Sequence, residues 1–163
     1  MSLRINLIPC MAIALILGAC DSSNTTAPTQ TDRSAMLVAA KWKMTAQTVT
    51  PGVDMDGSGT LITDAFAYMG ACEADDVTSY TADGKWSTDN GASKCDPADP
   101  QIDLGTWSMN AAKDSITITT PRDGSVEKYK IDSFSATEFK ATSTSIDFGD
   151  GKAHTAKVSF KAI

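Results

Sequence analysis

Histidine occurs once in this chain, at His154, and cysteine four times. So few of zinc's usual ligands argue against a structural zinc site. Basic residues are outnumbered, with Lys and Arg totalling 14 against 20 Asp and Glu, a net charge of -6. An acidic balance excludes the basic footprint on which nucleic-acid binding depends, so no nucleic-acid partner is expected. Helix formers are scarce beyond the first twenty residues. Only Leu37, Leu61 and Leu104 remain of the leucines, and Glu73, Glu127 and Glu138 are the only glutamates. Motifs for nucleophilic or metal-assisted hydrolysis, G-x-S-x-G and H-E-x-x-H, are missing. What the chain has instead is twenty threonines and seventeen aspartates. Thr favours strands and Asp favours turns, which makes an all-β domain the leading class.

The first twenty residues differ from the rest. Arg4 precedes an apolar stretch from Ile5 to Leu17, which is too short for a spanning helix of about 20 residues and has the form of an export signal. Leu17-Gly18-Ala19-Cys20 resembles a bacterial lipobox. That resemblance implies a signal peptide over 1–19, cleavage before Cys20 and acylation of its thiol, with palmitate-type chains anchoring the protein to a membrane. The expected location is the cell envelope, facing the periplasm or the cell surface. Asp21 resembles the inner-membrane retention residue of enteric bacteria, and inner and outer membranes both stay open. Residues 20–34 read as the lipidated cysteine and a Ser/Thr-rich tether. The folded domain is expected over 35–163. Arg4 is the only charge lost with the signal, so the acidic balance deepens by one.

Alternation and turn signals predict eight strands, at 41–49, 77–82, 85–89, 103–109, 115–120, 125–132, 137–146 and 154–162. The last is the clearest: Ala156, Val158, Phe160 and Ala162 lie on one face, Lys157, Ser159 and Lys161 on the other. Asp83-Gly84, Asp123-Gly124 and Gly149-Asp150-Gly151 mark tight hairpins. Short antiparallel connections most economically close eight strands into an up-and-down barrel, with an open sandwich as the alternative. One or two short helices are expected, at 35–40 capped by Ser34 and at 63–69 capped by Thr63 or Asp64. Cys72 and Cys95 are the two cysteines inside the domain. In an oxidising compartment they are expected to bond, closing a loop of about 24 residues.

The segments Cys72-Glu73-Ala74-Asp75-Asp76, Tyr80-Thr81-Ala82-Asp83-Gly84, Lys94-Cys95-Asp96-Pro97 and Gly105-Thr106-Trp107-Ser108 carry a wider likeness. Over about residues 40–163 the chain resembles the lipocalin-like domain of small bacterial lipoproteins of the Bacteroidetes type. The resemblance implies an eight-stranded barrel, and most members of that family have no assigned ligand.

Three sites are candidates for chemistry. Trp42, Tyr80, Trp107, Phe139 and Phe160 are the large strand residues, and they either line an apolar pocket for a small apolar or amphipathic ligand or simply fill the core. Asp54, Asp56 and Ser58, with Gly59 at the sixth position, match the first half of an EF-hand calcium loop. The twelfth position is Ala65 rather than Glu, so a solvated Asp/Gly turn is the competing reading and no resident cofactor is expected. Asp75 and Asp76 are adjacent, and strand neighbours point to opposite faces, which places them poorly as an acid–base pair. His154 at a strand start reads as a surface residue. The expectation is a non-enzymatic protein: either a carrier of a small ligand, or a structural or interaction module with a side-chain-filled barrel.

Overall fold

The computed structural model describes residues 30–163. The expected signal segment, the acylated Cys20 and the tether up to residue 29 lie outside the described residues. The elements are α1 (Gln30–Ala39), β1 (Lys41–Val53), β2 (Ile62–Asp64), α2 (Ala65–Met69), α3 (Ala71–Ala74), β3 (Val77–Tyr80), β4 (Lys85–Asp89), β5 (Ile102–Met109), β6 (Ser115–Thr120), β7 (Ser125–Phe134), β8 (Glu138–Ile146) and β9 (His154–Ala162). From β3 to β9 each strand pairs antiparallel with the next. β9 then pairs with β1, and β1 with β3, which closes an eight-stranded barrel. β2 is an extra strand laid on the far half of β1, with Thr48 opposite Asp64 and Val53 opposite Ile62.

All eight predicted strands are present. β1 runs four residues further than expected, through Pro51 and Gly52, because β2 and β9 flank that extension. The second helix is capped by Asp64, whose carboxylate accepts the Ala67 N–H at 2.9 Å. α3 adds a third short helix that local sequence does not announce. α1 begins at Gln30, so residues 30–34, expected in the tether, are helical, and Ser34 lies inside the helix instead of capping it. Tertiary contacts hold that extra turn. The Arg33 guanidinium donates to the Lys113 carbonyl at 3.0 Å, and the Ser34 hydroxyl approaches Met109 Sδ at 3.4 Å.

The barrel has two unlike ends. At one, α1 lies across the opening and buries Leu37 and Trp42 completely, together with Tyr80, Ile116 and Phe139. Trp42 Nε1 donates to the Leu37 carbonyl at 2.9 Å, which joins helix to barrel and satisfies the one polar atom of the indole. Phe139 stacks between Phe134 and Phe160, with ring centroids at 5.6 and 4.6 Å. A second, smaller core sits outside the barrel at the other end, where Val49, Val53 and Ala65 pack under Met55, Met69 and Phe148. At that end lie the long connections 54–76 and 90–101. The Cys72–Cys95 disulfide ties α3 to the second of them, as the cysteine count predicts.

Gly105, the glycine of the Gly105-Thr106-Trp107 run, has a local reason. A Cβ there would collide with the Thr119 carbonyl of the next strand and with the Trp86 indole. The missing side chain lets that indole lie flat against β5 and β6, and its Nε1 donates to Thr119 O at 3.3 Å.

Candidate functional site

Strand alternation turns one set of side chains inward, and between the packed end and the open end they leave a cavity of about 170 Å³. Its apolar wall includes Tyr80, Trp86, Ile116, Ile118, Phe139 and Phe160, with Met44, Ala141 and Val158. Gln47, Thr78, Thr88, Glu127 and Tyr129 give it a polar side. An apolar void of roughly 150 Å³ suffices for a benzene-sized molecule, whereas drug-sized ligands occupy about 300–1,000 Å³. The cavity therefore fits one ring or a short branched chain.

Three of the five aromatic residues picked from the sequence, Tyr80, Phe139 and Phe160, line this cavity. Trp42 and Trp107 do not. Trp42 forms the packed floor below Phe139, at 5.0 Å between ring centroids. Trp107 stands edge-on to Tyr80 at 5.5 Å, with Nε1 donating to the Thr81 carbonyl at 3.1 Å. Trp86, Glu127 and Tyr129 line the wall and were not singled out. The available signal was phase: Glu127 and Tyr129 alternate with Lys128 and Lys130, and two lysines mark the outer face.

Glu127 and Tyr129, two apart on β7, face each other across the strand surface. The Tyr129 hydroxyl donates to Glu127 Oε2 at 2.7 Å. Burial holds the Tyr129 phenol well above the usual tyrosine range, and the neighbouring carboxylate adds to the effect. Burial alone does the same to Tyr80.

Trp86 and Thr88 also belong to a second recess of about 430 Å³ at the open end, so cavity and recess adjoin. Glu73, Asp76, Asn90, Asp103, Arg122 and Asp123 surround this mouth. Burial pushes the Asp76 carboxyl up to about 6, helped by the negative charges of Glu73, Asp75, Asp103 and Asp89. Glu73 is also raised, by burial. Arg122 pairs with Asp99 and lies 3.6 Å from Asp103. Asp103 further accepts from Asn90 Nδ2 at 2.9 Å. Asp76 Oδ1 is buried without a hydrogen-bond partner among the described residues.

Asp75 and Asp76 follow the end of α3 and lie on no strand, so strand alternation does not place them. Asp75 accepts the N–H groups of Ala92 and Ser93 at 2.8 and 3.1 Å, which pins the disulfide loop. The candidate calcium residues lie together in the loop after β1, and each binds the loop itself. Asp54 accepts from Gly59 N at 2.9 Å, Asp56 from Ser58 N at 3.0 Å, and the Ser58 hydroxyl from Thr60 N at 3.2 Å. Among the described residues no three His, Cys, Asp or Glu side chains converge as a metal site would require.

His154 corrects the sequence reading. It is not on the surface but is 1% exposed. Its Nδ1 meets the Pro51 carbonyl at 2.9 Å and its Nε2 meets Asp150 Oδ1 at 3.1 Å. Both partners are acceptors, so the doubly protonated ring satisfies both. The Pro51 carbonyl and then the Asp150 carboxylate raise its pKa accordingly. The ring clamps the β8–β9 hairpin onto β1.

No protein-family model matches the chain, and no curated protein does either.

Proposed function

We propose that the chain is a non-catalytic lipoprotein of the cell envelope, anchored through acyl chains on Cys20, whose lipocalin-like barrel takes up a small apolar or amphipathic molecule. The run Leu17-Gly18-Ala19-Cys20 supports the anchor. The uptake reading is carried by one observation: a largely apolar cavity of about 170 Å³ adjoins a wider recess at the end away from α1, with Glu73 of α3 on its rim. A competing reading, a structural or interaction module with a filled barrel, draws on the Phe134, Phe139 and Phe160 stack packed at the closed end.

Mass spectrometry of the full chain purified from its own host separates these readings. Under denaturing conditions the expected mass is that of a chain beginning at Cys20 plus acyl groups. A mass that retains residues 1–19 without acylation overturns the anchor. Under native conditions a co-purifying small molecule is expected. Its absence, together with no binding of benzene-sized probes, leaves the filled-barrel module.

A further inference from the structure

The barrel breaks its own hydrophobic pattern at two places near the open end. On β7, Val126 is turned outward at 66% exposure while Glu127 faces the cavity. On β5, Leu104 is turned outward at 65% exposure while Asp103 faces the mouth. Shifting either strand by one residue would flip every side chain, so the inward Tyr129 and Ile131 on β7 and Trp107 and Met109 on β5 fix the phase. Phase does not explain why the inward position holds a carboxylate, since any small apolar residue would serve there. Asp103 has Arg122 and Asn90 as partners. Among the described residues Glu127 has only the Tyr129 hydroxyl, on Oε2. Among the described residues it forms no ion pair, and the cavity wall includes no Lys, Arg or His. Glu127 is half-buried on the cavity wall, and its Oε1 is left free for a further partner.

We propose that the molecule taken up is a small organic cation, an amine or ammonium joined to an apolar group of about benzene size, with its charge against Glu127. This rests on the cavity reading above and narrows its ligand class. The free Oε1 of Glu127 supplies the anionic partner. Tyr80, Trp86, Tyr129, Phe139 and Phe160 surround the same space with ring faces and edges, and aromatic faces attract cations, best when water is excluded. The approach is selective as well. Glu73, Asp76, Asp103 and Asp123 rim the mouth against the single guanidinium of Arg122, a field that draws cations in and turns anions away. A carrier of neutral apolar molecules needs none of these charges.

The test uses the purified full chain at pH 7.5 and three probes of one shape, benzylamine, benzyl alcohol and benzoate, followed by titration calorimetry and by the fluorescence of Trp86 in the wall. Benzylamine is expected to bind about tenfold or more tighter than benzyl alcohol, the worth of one charge-assisted hydrogen bond, and benzoate not measurably. Glu127→Gln, which keeps the acceptor for Tyr129, is expected to lose the preference while retaining benzyl alcohol affinity. Equal binding of the amine and the alcohol by the wild-type chain overturns the cation proposal and leaves the cavity reading standing. So does a preference that survives in a folded Glu127→Gln. If none of the probes binds, the cavity reading itself falls, and the cation proposal with it. The wild-type comparison decides even if the variant does not fold.

Discussion

The two ends of the barrel are built on opposite principles. The α1 end is closed by apolar burial: Leu37 and Trp42 are sealed between helix and strands, and three phenylalanine rings stack behind them. At the open end the apolar core around Val49 and Val53 lies outside the barrel, and the loops at the mouth are held by discrete ties, the Cys72–Cys95 bond, the Asp75 carboxylate on the Ala92 and Ser93 amides, and the His154 clamp. Apolar packing excludes water and leaves no room for a guest. Point ties fix loops at a few positions and leave the space between them free. The lesson is that stability and access are separated along the barrel axis, so a change at one end should leave the other's property alone.

Trp42→Ala tests the packed end most severely. Removing a fully buried indole costs about 3–5 kcal/mol, and here it also orphans the Leu37 carbonyl. Urea unfolding should show a loss of that size. A loss under about 1 kcal/mol would show that α1 does not hold the barrel closed. Next in size is the Cys72→Ser, Cys95→Ser double variant. The cysteines are 23 residues apart, so the loop-entropy estimate is about 3 kcal/mol. Hydrogen exchange should localise the loosening to 65–76 and 90–101, with β7–β9 amides keeping their relative order of protection. Uniform loosening would contradict the separation of the two ends. The smallest effect, and one of opposite sign, is expected from Asp76→Asn. The Asp76 carboxyl titrates near 6 in the folded chain, above the ordinary aspartate value of about 3.9. Folding therefore favours its protonated form. The stabilisation is complete below about pH 4 and is lost as pH rises through 6. The neutral amide should raise the melting temperature at pH 7.5 and change it little at pH 4. A variant that melts lower at pH 7.5 would mean that Asp76 is stabilising as a charge.

Much of this architecture was legible because it is periodic. β9 shows its inner face in Ala156, Val158 and Phe160 and its outer face in Lys157 and Lys161, and the structure follows that division. The cysteine pairing was equally readable, since two residues leave one combination. What was not legible depends on partners far away in the chain. Ile62–Asp64 becomes a strand only because the end of β1 is there to receive it, and β1 itself continues past a proline, which usually marks a strand's end or edge. The burial of His154 is set by Pro51, 103 residues earlier. In the candidate site, apolar bulk picked out Tyr80, Phe139 and Phe160. Glu127 escaped the same reasoning because polarity alone places Val126 inside and Glu127 outside, the reverse of what the neighbours on β7 impose.

β1 meets its two barrel neighbours very unequally. Against β9 it is paired at eight positions from Trp42 to Thr50, whereas against β3 it is paired only at Lys41–Ser79 and Trp42–Thr78. In mechanical terms the molecule is a curled ribbon fastened by a two-stitch clasp beside the packed floor. Beyond the clasp the β1–β3 pairing stops, and Met44 and Gln47 of β1 line the cavity wall together with Thr78 of β3 and Thr88 of β4. Of the barrel's seams this clasp has the fewest strand pairs, so the closure of the ribbon is secured at the same end as its packed core.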